Sequence, residues 1–279
     1  MRSIIKFVHA WYSDAAGALR RADPLLMGAA FAYNSLFAIV PLALAFVSML
    51  TLLDTTQDVL DDTYRFINET LPTDIANFLV QILSESVEAV EDNRLVIIIV
   101  TLLVALWSGS RAVYTVQKAL RLVEDSDVEV GYVRMRATGI LVTVGGGVGV
   151  LAAYTLLAVG RGLTGRIASM LPWGLPIGEW VFVGIAVMWI FLLLFAVYRW
   201  GAPQPIRRPA ATSALVTTVL AVGTWAAFSL VPSGAAASVA VFGTIGLILL
   251  WLYGVGVVVV AGPIGVGSLL RVLEEKSYR

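Results

Sequence analysis

Few side chains in this 279-residue chain could take part in catalysis. It holds one histidine, His9, and no cysteine, which excludes thiol chemistry, disulfides and zinc–thiolate sites. No Walker A motif, H-E-x-x-H motif or nucleophile–base constellation is found. The carboxylates that could hold magnesium for cleavage of nucleic acid, and that are at least as typical of a solvated turn, are Glu124, Asp125, Asp127 and Glu129. We therefore predict no enzyme, with no catalytic residue, metal site or cofactor.

Arg111 is the charged residue with the most informative position, because it closes an otherwise apolar run. Sixteen residues separate it from Arg94, about 24 Å of helix, which is short of a hydrocarbon core of ~30 Å. A guanidinium at this level is suited to bidentate binding of phosphate or carboxylate. We interpret Arg111, followed by Lys118, as a contact for an anionic headgroup. The alternatives are snorkelling to the interface or an ion pair with the acidic residues of 124–129.

Asn34 is a second unusual position, since it is a polar residue within a long apolar run. Tyr33 and Ser35 flank it, and Pro41 follows seven residues later, where it removes a backbone hydrogen bond and tends to bend a helix. A polar group in hydrocarbon needs a hydrogen-bond partner. One interpretation is a bond between helices that holds the bundle together. The other is that Asn34 and Tyr33 line a substrate path beside a hinge at Pro41.

The stretches that position these residues are those of a membrane protein. Hydrophobic residues make up 59% of the chain and charged residues 14%, and the 62 residues from Pro209 to Leu270 contain no charge. About 20 apolar residues in a helix cross a ~30 Å hydrocarbon core. We predict an all-α, polytopic helical bundle with six membrane spans. These lie near Leu25–Leu53, Leu95–Ser110, Ala137–Gly160, Trp180–Tyr198, Pro209–Val231 and Val239–Val260.

The distribution of charge predicts how the spans are oriented. The chain has 19 basic and 19 acidic residues, and a formal net charge of zero excludes the strongly basic surface of a nucleic-acid binder. Lysine and arginine are retained on the cytoplasmic side of a membrane. Fifteen of the basic residues fall in segments 1–24, 111–136, 199–208 and 271–279. We therefore expect a multi-pass plasma-membrane protein with both termini in the cytoplasm.

Three segments outside the spans show helical periodicity with one apolar face. Residues 1–24 are typical of an interfacial helix. The acidic outer segment 54–94 predicts two amphipathic helices separated at Pro72, and residues 111–136 predict a cytoplasmic helix that continues the second span. No long linker or repeat divides the chain. Residues 1–279 are thus interpreted as one membrane domain, with 54–94 as an extracytoplasmic helical insertion.

Glycine is concentrated in two of the spans. Gly145 and Gly149 form a Gly-x-x-x-Gly spacing in the third span, and Gly243 and Gly246 lie in the last. Small residues allow helix backbones to approach closely, which predicts packing contacts at these positions. Because glycine also weakens a helix, sliding or opening of the same spans is the alternative.

Three stretches of the chain resemble one protein family. Residues 29–42 read AAFAYNSLFAIVPL, residues 106–111 read LWSGSR, and Gly243-Thr244-Ile245-Gly246 precedes Leu250-Trp251-Leu252-Tyr253. In order and spacing these stretches are similar to the YihY/BrkB family of bacterial inner-membrane proteins, over nearly the whole chain. The sequence departs from that family at Gly262-Pro263-Ile264-Gly265, where members usually have Gly-Ala-Glu and a polar residue.

The resemblance implies a bacterial inner-membrane location and, for some members, a link to serum resistance or to export of envelope lipids. Members formerly carried the label ribonuclease BN, which has been withdrawn. Together with Arg111 and Lys118, the resemblance favours a protein that moves or shelters an amphiphilic, anionic lipid without ATP. The alternatives are a non-transporting scaffold that docks an envelope partner or a second copy of the chain, and a nuclease.

Overall fold

The computed structural model describes residues 2–51, 61, 64–65, 67–68, 73–89, 94–123, 131–149, 177–202, 209–230 and 243–277. Every regular element in these ranges is helical, as the sequence predicts. The helices are α1 (Arg2–Ala22), α2 (Pro24–Thr51), α3 (Thr73–Ala89), α4 (Arg94–Leu122), α5 (132–149), α6 (Ile177–Ala196), α7 (Ala210–Ser229) and α8 (Gly243–Ser277). A π-helical turn over Val197–Gly201 extends α6.

Four stretches in the described part are long and apolar enough to cross a membrane, and they overlap the second, fourth, fifth and sixth predicted spans, although two of them extend well beyond the predicted ends at Ser110 and Val260. They are Ile99–Leu122, Val183–Gly201, Ala210–Ser229 and Ile245–Glu275. The first predicted span falls on α2, which carries a shorter apolar stretch over Pro24–Ile39, and the third falls on α5. Residues 52–53, 150–160, 231 and 239–242 of the predicted spans lie outside the described residues.

The predicted helices outside the spans are found in part. α3 corresponds to the second helix expected in the outer segment, and α4 continues without a break through Leu122, as expected for the start of segment 111–136. Of the first outer helix, residues 61, 64–65 and 67–68 are helical. The acidic residues of 124–129, weighed as a metal site or a solvated turn, lie outside the described residues.

The junction of α1 and α2 is formed by two residues. Asp23 has a φ of 43°, the left-handed conformation that ends many helices, and its backbone N–H donates to the Leu19 carbonyl at 3.0 Å. Its carboxylate then accepts a hydrogen bond from the Leu26 N–H at 3.2 Å and so caps α2. Pro24 takes the first helical position, where a backbone N–H would have no helical partner. Asp23-Pro24 therefore joins the two helices without a loop.

α2 packs against α4, α8 and α3. It approaches α8 closely at two glycines, because a Cβ on Gly256 would lie 2.9 Å from the carbonyl oxygen of Gly28. Such contacts bring two helix backbones together without side chains between them. Beside this crossing lies a small core made of Ala32, Ile248 and Leu252, covered by Phe78 and Leu79 of α3.

A larger core joins α1, α4, α6, α7 and α8, and its buried members include Ala18, Leu120, Tyr198, Ala214 and Ile264. α1 is attached to α8 by polar contacts as well. The Trp11 indole N–H donates to the Gly265 carbonyl at 3.1 Å, and Arg271 lies 3.5 Å from the Asp14 carboxylate. The opposite side of the first half of α1 is exposed and carries Ile5, Val8 and Tyr12.

Candidate functional site

α4 and α5 approach each other closely where the two helices present glycine. A Cβ on Gly139 would lie 2.9 Å from the backbone oxygen of Ser110, and one on Gly109 would lie 2.5 Å from the side chain of Thr143. Side chains larger than hydrogen would separate the helices at both positions. This crossing brings the part of α4 around Ser110 against the first turns of α5, where Arg136 lies.

The guanidinium of Arg136 bridges the two helices by hydrogen bonds. Its Nη1 donates to the Ser110 hydroxyl at 2.9 Å, and its Nε donates to the Tyr132 hydroxyl at 3.0 Å. The Ser110 hydroxyl in turn donates to the Trp107 carbonyl at 2.9 Å, which fixes its orientation on α4. The guanidinium is thereby held in one position relative to both helices.

Three aromatic rings surround the same guanidinium. The Cζ atom of Arg136 lies 4.6 Å from the ring centroid of Trp107, 5.7 Å from that of Tyr114 and 5.7 Å from that of Tyr132. Tyr114 and Tyr132 also contact each other edge to face, with centroids 6.0 Å apart. A cation within about 6 Å of an aromatic centroid is stabilised by roughly 0.5–2 kcal/mol, depending on its exposure to water. We call Arg136, Ser110 and these three aromatic residues the arginine–aromatic cluster.

Part of the guanidinium is not engaged by any described residue. Arginine has five N–H donors, and two of those of Arg136 are used by Ser110 and Tyr132. Within the described part of the chain, no carboxylate or other acceptor contacts the remaining three, and the side chain is partly exposed. The cluster therefore combines a fixed positive charge with hydrogen-bond donors that no described residue occupies.

The cluster lies where the surface of α4 changes from apolar to charged. On its N-terminal side the exposed residues of α4 are Val96, Ile99, Val100, Leu102, Leu103 and Val104. Trp107 is 59% exposed at the end of this stretch, and the next exposed residues include Arg111 and Lys118. Tryptophan and tyrosine concentrate at the headgroup level of membrane proteins. This arrangement is typical of a site at the boundary between hydrocarbon and headgroups.

Comparison with known proteins adds a family. A model of the family described as virulence factor BrkB matches residues 15–264, which include nearly all of the described helices. The chain belongs to the BrkB family. The match confirms the resemblance found in the sequence. No curated protein and no solved structure matches the chain.

In this BrkB-family chain, the predicted headgroup contacts Arg111 and Lys118 lie next to the cluster. Both are exposed on α4. Arg111 follows Trp107 by four residues and precedes Tyr114 by three, and residues at these spacings share one face of a helix. Its backbone carbonyl accepts a hydrogen bond from Thr115 at 2.9 Å. Arg111 thus lies on the helix face that carries the cluster.

Asn34 and Tyr33 lie on α2, and neither forms a hydrogen bond to the cluster among the described residues. The Asn34 amide donates to the Ala30 carbonyl of its own helix at 2.7 Å, which gives its N–H the partner that hydrocarbon requires. Tyr33 is 58% exposed, and its ring centroid lies 4.6 Å from that of Phe37. Pro41 lies inside α2 and has no backbone N–H, so the Phe37 carbonyl lacks the helical hydrogen bond that residue 41 would otherwise donate.

The glycines predicted to pack have different surroundings in the BrkB-family fold. Gly149 lies against the indole of Trp189, whose N–H donates to the Gly145 carbonyl at 3.2 Å. The Gly-x-x-x-Gly pair therefore forms a seat for one large side chain of α6. Gly243 is the first residue of α8, and a Cβ on Gly246 would meet nothing within 4 Å.

Arg136 is the residue that sequence reasoning missed, since it contributed only to the charge count. A signal was nevertheless present. Tyr132 and Arg136 are four residues apart on α5, and Trp107 and Tyr114 are seven residues apart on α4. At these spacings the two members of each pair lie on the same face of their helix. What the sequence lacks is the pairing of the two faces, which depends on the contact of α4 with α5.

Proposed function

We propose that this membrane protein binds the anionic headgroup of a lipid and moves or shelters that lipid without ATP. The observation that carries the proposal is the arginine–aromatic cluster, which places beside exposed apolar surface a fixed guanidinium with three N–H donors that bond to no described residue. An anionic amphiphile is complementary to this site, because its negative headgroup matches the guanidinium and its apolar tail matches the apolar surface. A lipid headgroup can thus meet Arg136 while its acyl chains lie along the exposed side of α4.

The leaflet of the cluster follows from the orientation that we propose for the chain. We propose six membrane spans in the bacterial inner membrane with both termini in the cytoplasm. Support comes from the four long apolar helices and from the fifteen of nineteen basic residues that fall in the segments which six spans would leave on the same side as the termini. Arg136 and Arg111 both belong to one of those segments, 111–136. In this arrangement the headgroup site faces the inner leaflet.

α2 supplies the candidate path away from the site. It packs extensively against α4 and carries Tyr33 and Phe37 on its exposed side, with Asn34 adjacent and partly buried. One turn after Phe37, Pro41 interrupts the backbone hydrogen bonds of α2, so the helix bends more easily there. We propose that a lipid passes this surface and that Asn34 offers its side-chain oxygen to the headgroup.

The second candidate is a non-transporting scaffold. The feature that favours it is the exposed stripe of Ile5, Val8 and Tyr12 on α1, which packs against no described helix. Such a stripe is also expected of a helix that lies at a membrane surface. Movement of lipid between leaflets is the property that distinguishes a transporter from a scaffold.

Reconstitution in vesicles tests the proposal. Purified protein should accelerate the exchange of a fluorescent anionic phospholipid between leaflets without added nucleotide. Replacing Arg136 by alanine should slow that exchange, whereas Arg134→Ala, which removes an exposed charge two residues away, should leave it near the parental rate. An exchange rate equal to that of protein-free vesicles, across anionic and zwitterionic lipids, would refute movement and favour the scaffold.

A further inference from the structure

We propose that Arg136 is the residue that recognises the headgroup, that its ligand is the phosphate of an anionic phospholipid, and that its guanidinium, by occupying the space between the aromatic rings, excludes amine headgroups. The inference deepens the proposed function and rests on it for the membrane setting, but it concerns binding and holds whether or not the lipid is moved.

The hydrogen bonds of Arg136 determine which donors face the ligand. Tyr132 takes the Nε donor and Ser110 takes one donor of Nη1, so the three N–H groups without a partner among the described residues all belong to the terminal nitrogens Nη1 and Nη2. Two donors on the terminal nitrogens match the spacing of two oxygens of one phosphate. A lysine at this position would present a single ammonium without that planar pair of donors.

The position of the guanidinium between the aromatic rings explains the choice of phosphate over amine. Trp107, Tyr114 and Tyr132 would together resemble a cage for a quaternary or primary ammonium if the space between them were empty. The guanidinium of Arg136 fills that space, with its Cζ 4.6 Å from the nearest ring centroid. An ammonium headgroup thus finds the rings already occupied and a positive charge in front of it. A carboxylate could offset that positive charge, and none contacts the cluster in the described part of the chain.

Arg111 adds a second positive charge on the same face of α4. It lies one turn from both Trp107 and Tyr114, and its side chain is exposed. Two guanidinium groups near one headgroup favour a lipid with net negative charge over a zwitterionic one, because the amine of the latter is repelled. The site therefore discriminates between phosphatidylglycerol and phosphatidylethanolamine, which share the phosphate and differ in the amine.

Native mass spectrometry of the full-length protein tests the inference. The protein is equilibrated with equal amounts of phosphatidylglycerol and phosphatidylethanolamine, and the bound lipids are counted. The parent should retain an excess of phosphatidylglycerol, and Arg136→Ala should lower that excess about tenfold, as expected for loss of charge-assisted hydrogen bonds. Arg136→Lys should restore it only in part. Arg134→Ala, with the same change in net charge on the same helix, should match the parent.

Two further variants separate recognition from folding. Tyr132→Phe keeps the ring and removes the acceptor of the Nε donor, so it frees the guanidinium to turn and should reduce the lipid preference several-fold. Trp107→Leu removes the closest ring that holds the guanidinium and should also reduce the lipid preference. The unfolding temperature of each variant is measured, and lipid binding is compared only among variants that unfold at the temperature of the parent. If Arg136→Ala does not fold, Arg136→Lys and Tyr132→Phe test the assignment in its place. An unchanged preference in both of these variants would overturn the assignment of Arg136.

The source of the phosphate is tested by competition. Millimolar glycerol 3-phosphate should leave the bound phosphatidylglycerol in place, because the soluble ester lacks the acyl chains that lie on α4. Displacement of the lipid by this ester would identify a soluble phosphate ester as the ligand and refute lipid recognition. A protein that binds phosphatidylglycerol through Arg136 but does not accelerate exchange between leaflets would refute movement alone.

Discussion

The hydroxyl of Tyr198 donates a hydrogen bond to the backbone carbonyl of Val259 at 2.8 Å. In a regular helix that carbonyl would accept the N–H four residues further on, but Pro263 has no N–H to give. Tyr198 is fully buried in the π-helical turn of Val197–Gly201, and the Thr217 hydroxyl lies 3.3 Å from its own. The turn at the end of α6 thus supplies the donor that proline removes from α8.

This relationship predicts a coupling between Tyr198 and Pro263. Tyr198→Phe leaves the Val259 carbonyl buried without a donor and should lower the free energy of unfolding by about 1–3 kcal/mol. Pro263→Ala provides an N–H within α8, so the double variant should lose less than the sum of the two single variants. The measurement is the unfolding free energy of all four proteins in one detergent. Strictly additive effects would contradict the idea that the Tyr198 hydroxyl replaces the N–H that Pro263 lacks as donor to the Val259 carbonyl.

A second prediction concerns Gln117, which is completely buried and whose amide atoms have no hydrogen-bond partner within the described residues. Its side chain lies against the backbone of Gly201, where a Cβ would come within 2.6 Å of the amide carbon and would also overlap the amide nitrogen. Gly201→Ala should therefore destabilise the protein by about 1–3 kcal/mol. Gln117→Ala in the same chain should recover most of that loss, because it vacates the space.

The four proteins of this cycle are compared by their apparent unfolding temperatures. Gly223→Ala is the control, since a Cβ there would meet nothing within 4 Å. If Gly201→Ala unfolds at the temperature of the parent, or if Gln117→Ala does not improve it, then steric overlap between these two residues is not what requires glycine.

The membrane helices could be predicted from sequence because their cause is local. A predominantly apolar segment of about 20 residues forms a helix in lipid, because its backbone polar groups must be paired within the segment, and the four long apolar stretches overlap the predicted spans. The end of α1 is local too, since Asp23-Pro24 combines a helix cap with a residue that fits the first helical turn. Each of these features depends on residues within a few positions of one another.

The arginine–aromatic cluster could not be predicted in the same way. Ser110 and Arg136 are 26 residues apart, and Tyr198 and Val259 are 61 residues apart, so both contacts depend on which helix faces meet. Sequence reasoning selected Arg111 because it closes an apolar run. Arg136 closes none, and its importance arises from the approach of α4 and α5 at Gly109 and Gly139.

A third prediction distinguishes the glycines that the sequence grouped together. Gly149→Ala would push a methyl group into the indole of Trp189 and disturb its hydrogen bond to Gly145, so it should destabilise the protein by about 1–3 kcal/mol. Gly246→Ala meets open space and should be neutral or stabilising by up to about 1 kcal/mol, because alanine is the better helix former. The measurement is the unfolding temperature of both variants in the same detergent. Equal decreases would contradict the close contact of Trp189 with Gly149.

The final prediction concerns orientation, on which the leaflet of the proposed site depends. The chain has no cysteine, so single cysteines can be introduced directly into the parent sequence. The chosen positions are exposed: Asp61 and Glu85 in the acidic segment, and Arg134 and Glu274 in segments rich in basic residues. A membrane-impermeant maleimide applied to spheroplasts should label cysteines at the first two positions and spare those at the other two, since basic segments stay in the cytoplasm. All four should react once the membrane is permeabilised. Labelling at 134 before permeabilisation would place Arg136 at the outer leaflet, and the headgroup it recognises would then be one presented from outside.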